Sequence, residues 1–172
     1  MYIQPCTYEQ HAEAILDIFN DAILNTTALY EYEPRNMLVM KHWFNTKVTG
    51  GYPVIGAFDR HGELMGFATF GRFREQPAFQ FTVEHSVYIH PDFRGLGVAK
   101  QLLNAIIDAA KAQNFHVMVG AIDAENLASL ALHEKRGFRK QGAITQAGYK
   151  FDRWLDLVFY QYDLGKTNEQ FQ

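Results

Sequence analysis

The stretch Val87-Tyr88-Ile89-His90-Pro91-Asp92-Phe93-Arg94-Gly95-Leu96-Gly97-Val98-Ala99-Lys100 governs how the rest of this sequence is read. A run of strand-type residues ends, Pro91 turns the chain, and a helix begins among glycines. Free N–H groups at a helix start, together with the helix dipole, make a site for anions. Gly95 and Gly97 carry no side chain where backbone would approach a pyrophosphate, and small Ala99 lets the first helical turn come close. Two other phosphate motifs compete for such a segment. A P-loop needs a glycine five positions before its Gly-Lys-Thr, and Tyr160 holds that position before Gly165-Lys166-Thr167. A dinucleotide fingerprint needs a third glycine where Lys100 stands, although Asp123 after the next strand mimics its ribose-binding acid. The plain alternative is a glycine-rich turn that only lets a helix pack on a strand.

Working outward, Phe79–His90 reads as one long strand after a polar loop, Arg72–Ala78. Pro53–Phe58 and Leu64–Phe70 are strand-like runs joined by Asp59-Arg60-His61-Gly62, a hairpin signal. Tyr2–Cys6 is a short strand, and Thr7 can cap a helix with Gln10 as its reciprocal capping-box partner. Ile15, Ile18, Phe19, Ala22 and Ile23 form an apolar stripe at helical spacing. A second helix, Met37–Val48, is expected to bury Met40, Trp43, Phe44 and Val48 and to stop at Gly50-Gly51. Beyond the turn come a helix over Gly97–Gln113 facing Leu102, Leu103, Ile106 and Ala110 inward, a buried strand His116–Ile122, and a helix Leu127–Arg136. Gly137-Phe138 opens the last strands, and Leu155–Leu164 closes the chain. Meandering strands followed by alternating strand and helix predict an α/β fold, a mixed sheet with helices on both faces. No repeat or low-complexity linker interrupts it, so residues 1–172 read as one domain.

Composition narrows the classes. The 172 residues suffice to bury about 70% of the unfolded surface. With 48% hydrophobic and 20% charged residues the chain is globular rather than disordered. Aromatic content of 15% fits a deep apolar cleft or a subunit interface. The net charge is -3 and no basic run appears, which argues against nucleic acid. A lone Cys6 excludes an intrachain disulfide and a cysteine zinc site, and no metal site is expected. No signal-peptide pattern and no run of about 18 apolar residues is present, so no membrane is expected and the cytoplasm is the default.

Arg94-x-x-Gly97-x-Ala99 after a strand resembles the Arg/Gln-x-x-Gly-x-Gly/Ala signature of the GNAT superfamily of N-acetyltransferases. Asn126-x-x-Ser129 and Leu132-His133-Glu134-Lys135-Arg136-Gly137-Phe138 look like that superfamily's second motif. Asn20-Asp21-Ala22, Asn25-Thr26-Thr27, Gly51-Tyr52-Pro53, Thr82-Val83-Glu84-His85-Ser86-Val87-Tyr88 and Lys150-Phe151-Asp152-Arg153-Trp154-Leu155-Asp156 resemble the phosphinothricin and methionine sulfoximine acetyltransferase branch. The resemblance implies a mostly antiparallel sheet in which two splayed parallel strands hold acetyl-CoA. Backbone of Val87, Tyr88 and Ile89 would hold the pantetheine arm and acetyl carbonyl. The turn Arg94, Gly95, Leu96, Gly97, Val98, Ala99 and Lys100 would hold the pyrophosphate, Asn126 would contact the cofactor's amide chain, and Lys135 would flank it. The branch further implies a homodimer and a small amino-acid-like substrate acetylated on its α-amino group.

The chemistry asks for a base, a carbonyl polariser and release of a thiolate. Glu84, just before the acetyl-binding backbone, is the favoured base. His85 must face the other way, so only one of the two should enter the cleft. Relatives often place a tyrosine, as the acid for the thiolate, where this sequence has His133. Arg74, Glu75 and Gln76 in the loop, with His85 and Ser86, are expected to select substrate, Arg74 by a bidentate contact to a carboxylate. Gly71-Arg72-Phe73 and Asp152 depart from the branch, where an aspartate-tryptophan pair and a glycine are common. Rival readings are another GNAT specificity (ribosomal protein or polyamine), a non-catalytic CoA-binding module, and a nicotinamide-binding module.

Overall fold

The structure, a computed structural model, describes residues 1–165. Lys166 and Thr167, weighed above as part of a P-loop tripeptide, lie outside the described residues. Seven strands form one sheet in the order β1-β2-β3-β4-β5-β7-β6. They are β1 Tyr2–Pro5, β2 Val54–Phe58, β3 Leu64–Arg72, β4 Thr82–Ile89, β5 Val117–Asp123, β6 Arg139–Lys150 and β7 Arg153–Asp163. The helices are α1 Tyr8–Asn25, α2 Met37–Gly50, α3 Val98–Ala112 and α4 Leu127–Arg136. Every pairing is antiparallel except β4 with β5.

The sheet is covered on both faces, as the alternation of its residues requires. Ile15, Ile18 and Phe19 of α1 and Met40 and Phe44 of α2 pack with Phe58 and Phe67 on one face. Leu102, Leu103, Ile106, Ile107 and Ala110 of α3 pack with Phe70, Val83, Met118 and Val158 on the other. Each fully buried side chain of this kind contributes about 1.5–3 kcal/mol.

Several local expectations are refined. Thr7 accepts from the Gln10 N–H, but its own N–H donates to His11 Nδ1 rather than to the Gln10 side chain. Val48 is 79% exposed rather than buried; in that turn of α2 it is Lys47 that faces the sheet, its ammonium donating to the Phe70 carbonyl of β3, before Gly51 ends the helix in the left-handed conformation. The strand expected over Phe79–His90 starts at Thr82, since Pro77 opens a 3-10 turn over Pro77–Phe79. Phe151 and Asp152 both have positive φ and form the two-residue tip of the β6–β7 hairpin. Asp152 thus stands where the branch often has glycine, in a conformation that aspartate tolerates better than most residues.

Candidate active site

The parallel pairing of β4 and β5 is short. Thr82, Val83 and Glu84 pair with Val117, Met118 and Val119, and there the register stops. From His85 and Gly120 onward the two strands diverge. The gap opens into a cleft of about 1020 Å³ lined by His85, Ser86, Val87, Tyr88 and Ile89 of β4 and by Gly120, Ala121, Ile122 and Asp123 of β5. Side chains from both faces of β4 line it, so the cleft passes through the sheet at the splay.

At one end the cleft meets the turn before α3. Gly95 and Gly97 hold φ of +78° and +77°, and no side chain caps the first turn of α3. Gly95, Gly97, Val98, Ala99 and Lys100 all line the cleft, so the N-terminal N–H groups of α3 lie beside it. The Arg94 guanidinium is held by the Asp21 carboxylate of α1, which also accepts from Asn25 Nδ2. Arg94 therefore ties the turn to α1 with its side chain. Asn126 lines the cleft while its Oδ1 accepts from the Ser129 N–H and caps α4. Leu96 and Lys135, expected at the cofactor, stand outside the lining among the described residues.

The two candidate proton carriers lie on opposite faces of β4. Glu84 shares its face with Ser86 and Tyr88, and burial raises its carboxyl above the ordinary range while nearby Arg74 opposes that shift. Burial pushes the Tyr88 phenol up to about 12, and the Ser86 hydroxyl bonded to it pulls the other way. Glu84 is the last paired residue, one step below the cleft lining. Arg74, Glu75 and Gln76 do not enter the large cleft. They line a separate hollow of about 250 Å³ with Tyr52, Arg72, Pro77, Gln80 and Thr82. Thr82 shares its strand face with Glu84, whereas Arg72, opposite Val83, is on the other face, so this hollow sits where β3 ends and β4 begins, with residues of both faces in its lining. Glu75 is paired to Arg72 Nη1 at 2.8 Å, and the Arg74 guanidinium lies 4.4 Å from the Phe73 ring centroid.

On the other face, His85 and His133 are both buried and touch through their Nε2 atoms at 2.8 Å. His85 Nδ1 donates to the Val119 carbonyl at 2.9 Å, and His133 Nδ1 donates to the Ser129 carbonyl at 2.7 Å. Burial lowers both imidazoles below the ordinary histidine range, His85 to about 3. Both residues line the cleft, whereas Glu84, the residue expected to enter it, is on the other face of β4 and is not in its lining.

Three further side chains support the cleft. Lys150 reaches from β6 to donate to the carbonyls of Ile23, Thr26 and Leu29, fixing the segment whose Thr26, Thr27 and Ala28 line the cleft. Tyr30 donates to the buried Asp123 carboxylate. Arg153 makes a two-point contact with Glu125 at the rim. None belongs to a spacing motif; the quoted Lys150–Asp156 match was the available signal for two of them.

A splayed parallel pair, a glycine turn at a helix start and a motif ending in Gly137-Phe138 agree with what the comparisons find. The profile of the Acetyltransferase (GNAT) family matches residues 13–138. The chain belongs to the GNAT acetyltransferase family. An L-methionine sulfoximine/L-methionine sulfone acetyltransferase of Pseudomonas aeruginosa is 47% identical to this acetyltransferase over 153 residues, 89% of each chain. The crystal structure of an N-acetyltransferase from Staphylococcus aureus Mu50 superposes with a TM-score of 0.92 at 47% identity, over 95% of this chain and 98% of that one. A phosphinothricin acetyltransferase from Sinorhizobium meliloti, solved in complex with acetyl-CoA, gives a TM-score of 0.92 at 34% identity, over 95% of this chain and 88% of that one. The acetyltransferase has no helix, among its described residues, long and apolar enough to cross a membrane.

Proposed function

We propose that residues 1–172 form one acetyl-CoA-dependent N-acetyltransferase domain acting on the α-amino group of a small amino acid or analogue of the methionine sulfone, methionine sulfoximine or phosphinothricin type. The observation that carries this reading is the end of β4–β5 pairing at Glu84 and Val119, which opens a cleft through the sheet and puts a carboxylate on one face and imidazoles on the other. The chain's residues fit the cofactor. The volume admits an extended ligand, Gly95 and Gly97 offer backbone without Cβ atoms, and the first turn of α3 is uncapped. Val87, Tyr88 and Ile89, no longer paired to β5, would offer backbone groups to the pantetheine arm, and Asn126 its side-chain amide.

Bound there, acetyl-CoA supplies a thioester whose acetyl group an amine can take. Glu84 would remove a proton from the incoming ammonium, a task suited to a carboxyl whose affinity for protons burial has raised. Arg74, near Glu84, would pair with the substrate carboxylate. His133 is the candidate acid for the departing sulfur, though both its nitrogens are engaged at rest. A homodimer is part of the proposal; exposed Ile144, Tyr149 and Trp154 on β6 and β7 are apolar surface that a second copy could cover, and sedimentation would test it. The reaction is tested by following free thiol across amino acids, methionine sulfone, methionine sulfoximine and phosphinothricin. Turnover confined to α-amino acids of this class is expected; no thiol release with any of them would refute the reading.

A further inference from the structure

The His85–His133 contact sets a proton count. A carbonyl oxygen only accepts, so both Nδ1 atoms must carry protons, one for Val119 O and one for Ser129 O. A neutral imidazole with a protonated Nδ1 has a bare Nε2. The two Nε2 atoms at 2.8 Å would then oppose lone pair to lone pair, unless one proton lies between them. From this geometry we propose that His85 and His133 share a single third proton and act as one acid, with His85 as the positioning residue for His133. The proposal rests on the acetyl-transfer reading above.

The fold builds this contact at the splay. Val119 is the last paired residue of β5, and the His85 side chain donates to its carbonyl where the parallel ladder stops. A Cβ on the next residue, Gly120, would lie 2.7 Å from His85 Cε1, so only glycine there leaves room for the ring. Phe138 packs on both imidazoles, with centroids 5.3 Å and 4.9 Å away. The titratable groups around the pair are few. The Tyr160 ring of β7 lies 6.3 Å from that of His133 at a tilt of 43°, and its hydroxyl donates to the Glu134 carboxylate of α4. Glu84 of β4 lies on the opposite strand face, β5 brings the Val119 carbonyl and Gly120 to the rings, and the Ser129 hydroxyl of α4 lies 3.4 Å from His133 Nδ1. Burial without a carboxylate partner opposes the charge, and the Nε2–H···Nε2 contact at 2.8 Å holds it, so the pair carries a third proton that stays more acidic than a thiol's. An ordinary thiol holds its proton far more tightly, near pKa 8.5, so transfer to sulfur is downhill. As the C–S bond breaks and sulfur keeps the bonding electrons, the pair gives sulfur the third proton. Glu84 has taken the first proton from the ammonium; the nitrogen that has formed the C–N bond still carries one proton in excess, and the loss of that second proton recharges the pair.

The test is a pH titration of the full chain carrying ¹⁵N-labelled histidine, read by imidazole NMR, beside the pH profile of thiol release. His85 and His133 should shift together through one midpoint, as coupled groups do. His85→Phe should lower the His133 midpoint, leave KM for acetyl-CoA unchanged, and lower kcat about tenfold or more, part of the about 10²–10⁴-fold that a positioned proton carrier supplies. His85→Gln, whose amide oxygen can accept from His133, should restore part of both. Independent titration of the two rings, or an unmoved His133 midpoint in His85→Phe, overturns the shared proton. If His85 variants do not fold, His133→Gln read at His85 decides the same point. Absence of acetyl transfer by the unmodified protein would instead refute the underlying reading, and the titration would still decide the pair.

Discussion

Replacing Lys150 by Met should unfasten the segment that borders the cleft. Lys150 is 4% exposed, and its ammonium donates to the Thr26 and Leu29 carbonyls at 2.7 Å and to that of Ile23 at 2.5 Å. Met fills similar space but donates nothing. Ile23 is buried near the end of α1, so its carbonyl loses a partner that water cannot readily replace, a cost of about 1–3 kcal/mol. Thr26 and Leu29 are half-buried, so water re-satisfies them in part and each loss counts about 0.5–1.5 kcal/mol. The sum is about 2–6 kcal/mol, reduced somewhat because the ammonium's own desolvation cost disappears. For a chain of this size, about 3 kcal/mol lowers Tm by about 6–12 °C. Because Thr26, Thr27 and Ala28 line the cleft, acetyl-CoA affinity should fall as well. Thermal denaturation followed by circular dichroism, with calorimetric titration of acetyl-CoA, measures both. A Tm within 2 °C of the unmodified protein together with unchanged affinity would show that these three bonds hold nothing that matters.

Three further outcomes are expected. Gly97→Val forces a β-branched residue to φ near +77°, though its Cβ meets no other atom; acetyl-CoA affinity should drop at least tenfold while the fold persists at a cost of about 1–3 kcal/mol, and unchanged calorimetric affinity would place the phosphates elsewhere. Arg74→Ala should raise KM for a free amino acid far more than for its amide, which has no carboxylate to lose; equal losses would remove Arg74 from carboxylate recognition. Glu84→Gln should lower turnover by about 10²–10⁴-fold, and less at high pH where the amine arrives unprotonated. The raised Glu84 carboxyl also gives a sign for stability. The folded form holds its proton to higher pH than the unfolded chain, so ionised Glu84 costs stability above its folded pKa and none below its unfolded one. Glu84→Gln should therefore gain stability relative to the unmodified protein at pH 7 but not at pH 4, by denaturant unfolding at each; an equal difference at both would contradict the burial.

How much of this was legible in the sequence depends on the range of the interaction. The α1 stripe, the α3 stripe, the Gly51 stop and the glycine turn are set by neighbours three or four residues apart, and all are seen. The opposite facing of Glu84 and His85 follows from strand alternation alone. Val48 was misplaced because it lies at the edge of the apolar stripe, where spacing does not tell that the polar Lys47 beside it is the residue turned to the sheet. The His85–His133 contact, Lys150 with its three carbonyls and Tyr30 with Asp123 join residues far apart in sequence, and no local period encodes them. The position of Arg74, in a hollow outside the main cleft, likewise needed the 3-10 turn at Pro77 to be known.

The same strand explains why the carboxylate and the imidazoles can serve one reaction without neutralising each other. Side chains at successive positions of β4 point to opposite faces, so Glu84 and His85 are sequence neighbours with the sheet between them. A carboxylate in contact with the imidazoles would stabilise their charged form and hold the proton that a sulfur must receive. A histidine beside Glu84 would, when charged, lower the carboxyl's affinity for the ammonium proton. Separation by the strand leaves burial as the dominant influence on each, raising Glu84 and lowering His85 and His133. Proton affinities are thus pushed apart in the directions that a base for an amine and an acid for a thiolate require. Both faces open to a common space at the splay beyond Glu84 and Val119. Extending the parallel pairing by one residue would draw the backbones of His85 and Gly120 together and narrow that space, so the end of the pairing at Glu84 and Val119 is what keeps it open.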